Sequence, residues 1–144
     1  MNEQIGIPSH SILPPVVKHL LIINGIFFLA TYLMGPAVMG RVNLYDIFGL
    51  HYFESQNFHF WQIITYMFMH GNLSHLFFNM LGLLIFGTQV EKTIGSKEFL
   101  MFYFVTGALS GVLSYFYYYF AGENATLVGA SGLVSAVLYA YAVL

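Results

Sequence analysis

The 144-residue chain is 58% hydrophobic and 7% charged, with a mean hydropathy of +0.74; ordinary soluble domains carry about 25% charged residues, so water is excluded as the main solvent. Four Lys/Arg against six Asp/Glu leave a net charge of -2 and no basic patch, which excludes a nucleic-acid binder. The absence of cysteine excludes disulfides, thiolate nucleophiles and Cys-based metal sites.

In chain order, residues 1–15 are polar, contain Pro8, Pro14 and Pro15, and predict a loose tail. A spanning helix needs about 20 mostly apolar residues, and four runs approach or meet that. The first covers 16–34; it is long for the core of a cleaved signal and reads as a retained helix. Between Gly35 and Phe60, Arg41, Asp46 and Glu54 are interleaved with Tyr45, Phe48, Tyr52, Phe53, Phe58 and Phe60, and Trp61 follows. That mixture suits a segment half-embedded among lipid headgroups, where amphipathic rings settle; an ordinary extramembrane loop is the alternative.

The second run starts near Leu73 and reaches about Val90, and a loop, 91–98, joins it to an uncharged third run over 99–120. Gly107 and Gly111, with Ser110 and Ser114 beside them, predict close helix packing rather than chemistry, as do Gly82 and Gly87. The fourth run, 127–144, stops at Leu144 with no polar flank, so the sequence reads as the front part of a longer protein. Lys18, Lys92 and Lys97 on one side against Arg41 on the other favour a cytoplasmic N-terminus. The expected fold is an all-α, polytopic transmembrane bundle over residues 16–144.

Polar groups at membrane depth mark function by default. His75 and Asn79 stand four apart, on one face of a helix, and both donate hydrogen bonds without needing charge. Two neutral donors aimed at one point suit a developing oxyanion. Interhelical hydrogen bonding explains the pair equally simply and is favoured on the pair alone. His70 and His75 are five apart with no carboxylate between, so the H-E-x-x-H metal pattern is absent; no metal or cofactor is implied. In "GASG", 129–132, Ser131 lies between Gly129 and Gly132 at the start of the fourth run. A helix beginning there surrounds the hydroxyl with free N–H groups, as a nucleophile requires. Leu133 stands where an α/β-hydrolase elbow needs glycine, and small residues are common in packed spans, so the motif alone also fits packing.

Together, "HGNLSHLFFN", "GTQVEKTIG", "GALSG" and "GASG" resemble, in order and spacing, the rhomboid family of intramembrane serine proteases, most strongly over residues 60–144. The resemblance implies six spans, of which four are present here. It implies that Ser131 is the nucleophile, that His75, Asn79 and the Ser131 N–H form the oxyanion hole, and that His70 supports them, with Gly129 and Gly132 flanking the serine. It gives Glu91 a structural role in holding helix ends. Trp61 matches the tryptophan of a Trp-Arg pair in the first loop, where Gln62 now stands in place of arginine, a departure that bears on loop anchoring.

The implied activity is cleavage of transmembrane segments of membrane-protein substrates within the bilayer, at a site opening to the outer face. The family's general base is a histidine two helices beyond the nucleophile, yet His10, His19, His51, His59, His70 and His75 all precede Ser131. The chain as given is therefore expected to be inactive, since an unassisted serine is a poor nucleophile. The alternative is a non-catalytic rhomboid-like protein that captures transmembrane helices.

Overall fold

The structure, a computed structural model, describes residues 13–34, 43–122 and 126–144. Of the expected tail, 1–15, residues 1–12 with His10 lie outside them, as does Arg41, while Pro15 already belongs to the first helix. Helix α1 is Pro15–Leu33; short helices α2 (Leu44–Phe48) and α3 (Gln62–Thr65) and a 3-10 turn at Tyr66–Phe68 build the first loop. Helix α4 is Leu73–Ile94, α5 is Ser96–Ala121 and α6 is Ser131–Val143. Helices α1, α4 and α5 are long and apolar enough to cross a membrane. Helix α6 has 13 residues, about 20 Å at 1.5 Å per residue. The fold is thus all-α, with apolar side chains such as Ile26, Phe78, Leu113 and Phe120 exposed on its outside, as lipid-facing helices require.

The starts of α1 and α4 have identifiable causes. Pro15 sits at the first turn of α1, where a missing N–H costs nothing. The next two N–H groups of that turn, from Val16 and Val17, donate to the Glu91 carboxylate at 3.0 and 2.8 Å. The Ser96 hydroxyl donates to the same carboxylate at 2.6 Å. A buried anion near the positive end of α1 also complements the helix dipole. Glu91 thereby ties the start of α1 to the α4–α5 corner.

That corner differs from the expected loop. Residues 91–98 are helical on both sides of a single reversal at Gly95, whose φ is +95°. Charged residues mark the loop in the sequence, but one of them, Glu91, turns inward and the others stay exposed on helix ends. Helix α4 starts where Asn72 accepts the His75 N–H at 2.8 Å, a side-chain N-cap. It is α-helical to Gly82, widens to a π turn over Leu83–Gly87, and resumes as α at Thr88.

The small residues lie where neighbours come closest. A Cβ on Gly82 would stand 2.7 Å from Val134 of α6, and one on Gly111 would stand 2.8 Å from the Tyr66 ring. Gly107 is in contact with Met67, and Gly132 with the Ser110 hydroxyl. Phe99, Tyr103, Leu83, Leu133 and Val137 fill the space between α4, α5 and α6.

Replacing Glu91 by alanine strands two helix N–H groups in a buried corner. A loss of about 2–4 kcal/mol is expected, read as a lower melting temperature of the purified protein in detergent; Glu91→Gln, which keeps an acceptor, is expected to lose less.

Candidate active site

The segment ahead of α6 determines how the serine is presented. Residues 126–130 are not helical, although the apolar run begins at 127. Leu127 instead pairs with Leu50 of the first loop in an antiparallel bridge, with N–H to O distances of 3.0 and 2.9 Å. The Gly129 N–H donates to the Tyr66 carbonyl at 2.9 Å. Gly129 has φ of +106°, a conformation that side chains other than glycine's rarely adopt. Helix α6 then opens on Ser131, with Val134 N–H donating to Ala130 at 2.8 Å.

Gly129 also meets the second motif. A Cβ there would overlap the His75 ring, lying 2.6 Å from Nε2 and in closer contact with Cε1. The imidazole of α4 therefore occupies the space that a side chain at position 129 would take, two residues before Ser131. Asn79 follows one turn beyond His75 on α4 and is 6% exposed, and its Nδ2 has no partner among the described residues. Leaving a buried amide donor unpaired costs about 1–3 kcal/mol. Such a group fits a site that supplies its acceptor from outside the protein. Ser131 is exposed, and among the described residues no side chain caps the N-terminus of α6, so its first-turn N–H groups have no side-chain acceptor there.

His70 stands behind His75. Its ring is fully buried and meets the His75 ring edge to face, with centroids 5.1 Å apart. Nδ1 lies 3.3 Å from the Phe68 carbonyl and so carries the proton; Nε2 is buried without a partner among the described residues. Burial, reinforced by the neighbouring His75 and opposed by the Phe68 carbonyl, pushes the His70 imidazole down from 6.5 to about 4. His70 is thus neutral at neutral pH and packs on His75.

Trp61 and Glu91 stand apart from this cluster. Trp61 donates from its indole to the Ile47 carbonyl at 2.9 Å and stacks on His59 at 4.2 Å. Gln62, the departure that bears on loop anchoring, is the centre of the first loop. It is fully buried; Oε1 accepts from the His51 and His59 N–H groups, and Nε2 donates to the carbonyls of Asp46, Ile47 and Asn57. A neutral amide offers both donors and acceptors, so it satisfies N–H and C=O groups together, which a guanidinium cannot. That chemistry was the available signal. Tyr66 was also missed: its phenol donates to the Gly107 carbonyl at 2.7 Å while its own carbonyl holds Gly129.

Gly129→Ala is expected to destabilise the protein by about 2 kcal/mol or more, from left-handed backbone strain and overlap with His75, as read by thermal melting. A second outcome follows from His70, whose folded-state value lies below the ordinary imidazole value. The unfolded chain takes up its proton first as pH falls, so the His70 contribution is intact above about 6.5 and is lost toward about 4. Between those values the melting temperature is expected to fall more steeply in wild type than in His70→Gln.

The Rhomboid domain family model matches residues 57–144, more than half of the chain. Rhomboid protease GlpG of Haemophilus influenzae is 36% identical over 91 residues, covering 62% of this chain and 45% of the relative. Rhomboid protease AarA of Providencia stuartii is 26% identical over 131 residues, covering 82% of this chain and 46% of the relative. Rhomboid protease GluP of Bacillus subtilis is 35% identical over 81 residues, 55% of this chain and 15% of the relative. The chain spans less than half the length of these relatives. The matched region holds both motifs and two of the three helices of membrane-spanning length, and this integral membrane protein belongs to the rhomboid family.

Proposed function

We propose that this chain carries the nucleophile and oxyanion hole of an intramembrane serine endopeptidase that cleaves transmembrane segments of other membrane proteins. The observation that carries the reading is the seating of His75 against Gly129, which joins the α4 donors to the backbone presenting Ser131. Ser131 Oγ attacks the scissile carbonyl, and its proton passes to the family's histidine two helices further on. The carbonyl oxygen, now an anion, takes hydrogen bonds from His75, Asn79 and the Ser131 N–H, which stabilise it where they would not stabilise the flat amide as well. Collapse of the tetrahedral species expels the amine, and water hydrolyses the acyl-enzyme. Asn79 Nδ2, buried and unpaired, supports the donor role.

Orientation belongs to the same proposal. Lys18, Lys92 and Lys97 are exposed at the starts of α1 and α5 and the end of α4, the end of the bundle remote from Ser131. The excess of lysine there supports a cytoplasmic N-terminus and a site opening on the outer face.

The test is fluorophosphonate labelling of the full-length protein. Wild type is expected to label and Ser131→Ala to give none. His75→Ala and Asn79→Ala are each expected to lower the substrate-cleavage rate by about 10²–10³, the usual effect of removing one oxyanion donor. The 144-residue chain alone is expected to label weakly, because its serine lacks a base. Equal labelling of wild type and Ser131→Ala would remove the serine from the mechanism.

A further inference from the structure

The segment that presents Ser131 is held from outside the transmembrane helices, by the first loop. Three residues of that loop, in sequence order, converge on it. Gly49 passes so close that a Cβ there would stand 2.6 Å from the Tyr45 carbonyl, 2.9 Å from Thr126 Cγ2 and 3.4 Å from Val128 Cγ1. Leu50 forms the two-bond bridge to Leu127. His51 then turns its ring onto Thr126, with Nδ1 3.3 Å from the Thr126 hydroxyl.

The His51 ring is placed with some definition. It is 8% exposed, and its backbone N–H is held by Gln62 Oε1 at 3.3 Å. Nε2 lies 3.3 Å from the Tyr45 carbonyl, which only accepts, so Nε2 carries the proton. Nδ1 is then the acceptor, and the Thr126 hydroxyl donates to it. Among the described residues, the charged group facing the ring is Asp46, whose Oδ1 is 3.9 Å from Nε2 on the side away from Thr126's bond.

We propose that His51 is a positioning residue for Ser131: its ring, through Thr126, fixes the segment whose other end places Gly129 on His75 and opens α6 at the serine. It touches no reacting atom; it acts by setting the register of five residues, 126–130, between the loop and the helix. The proposal rests on the protease reading given above. It adds that the first loop, and not only the spans, sets the reactivity of the serine.

The experiment measures, on full-length protein in detergent, the second-order rate of fluorophosphonate labelling of Ser131 together with the melting temperature of unlabelled protein. His51→Ala and Thr126→Val are each expected to slow labelling about three- to tenfold, the size set by one hydrogen bond, and the double variant to be no slower than either single one. His51→Asn, which places an acceptor near the Nδ1 position, is expected to recover most of the rate. Gly49→Ala, which pushes the loop off Thr126 from a different residue, is expected to slow labelling too. A purely structural role for His51 predicts lower melting temperatures with an unchanged rate per folded molecule, or strictly additive losses; either overturns the proposal. Should His51→Ala fail to fold, Thr126→Val and His51→Asn decide it alone. Absence of wild-type labelling overturns the protease reading and this proposal together, whereas normal labelling of every variant overturns this one only.

Discussion

The contact between the Gly129 backbone and the His75 imidazole is the constraint from which the rest of the arrangement follows. It requires a residue without a side chain, in a backbone conformation that glycine alone adopts freely, at one position in a chain of 144. Helix α6 opens two residues after that contact, at Ser131. Asn79, one helical turn beyond His75, is carried to the same wall of α4 and is left buried with an unused donor. A membrane interior makes such a donor costly, and a function that consumes it is the simplest reason to keep it.

What holds the contact in place is distributed over both ends of the bundle. Lipid offers no hydrophobic drive for helix to find helix, so close approach and hydrogen bonds must do so. At one end Glu91 binds the first turn of α1 and the Ser96 hydroxyl. At the other, Gln62 satisfies the loop's own backbone, Tyr66 ties the loop to α5 and to Gly129, and the Leu50–Leu127 bridge closes the gap. Between them, glycines at 82, 107 and 111 let Val134, Met67 and Tyr66 press against backbone. The loop that looks like a connection in the sequence is, in the fold, part of the support for the site.

The helices were legible because hydrocarbon demands long uncharged runs, and 16–34, the run from Leu73 and 99–120 supply them. The one-turn spacing of His75 and Asn79 was legible for the same elementary reason, since α-helical periodicity leaves little choice. Boundaries were less so. The expected loop at 91–98 shrinks to Gly95 because a carboxylate can be buried when a helix N-terminus needs it, and nothing local announces that partner. The fourth helix begins at Ser131 because Leu127 is spent on a backbone bridge to a residue 77 positions earlier. Gln62 and His51 were invisible as organisers, since their partners are backbone groups and a threonine brought near only by the fold. Residue type shows what a side chain can bond; only the tertiary path shows what it meets.

The most direct measurement of the central claim is an experimental structure of the full-length protein with Ser131 phosphonylated, a stable stand-in for the tetrahedral species. The account predicts the phosphonyl oxygen about 2.7–3.1 Å from the Asn79 amide, an imidazole nitrogen of His75 and the Ser131 N–H, with Gly129 still against the ring. A phosphonyl oxygen directed away from α4, with His75 and Asn79 bonded to other partners, would contradict it.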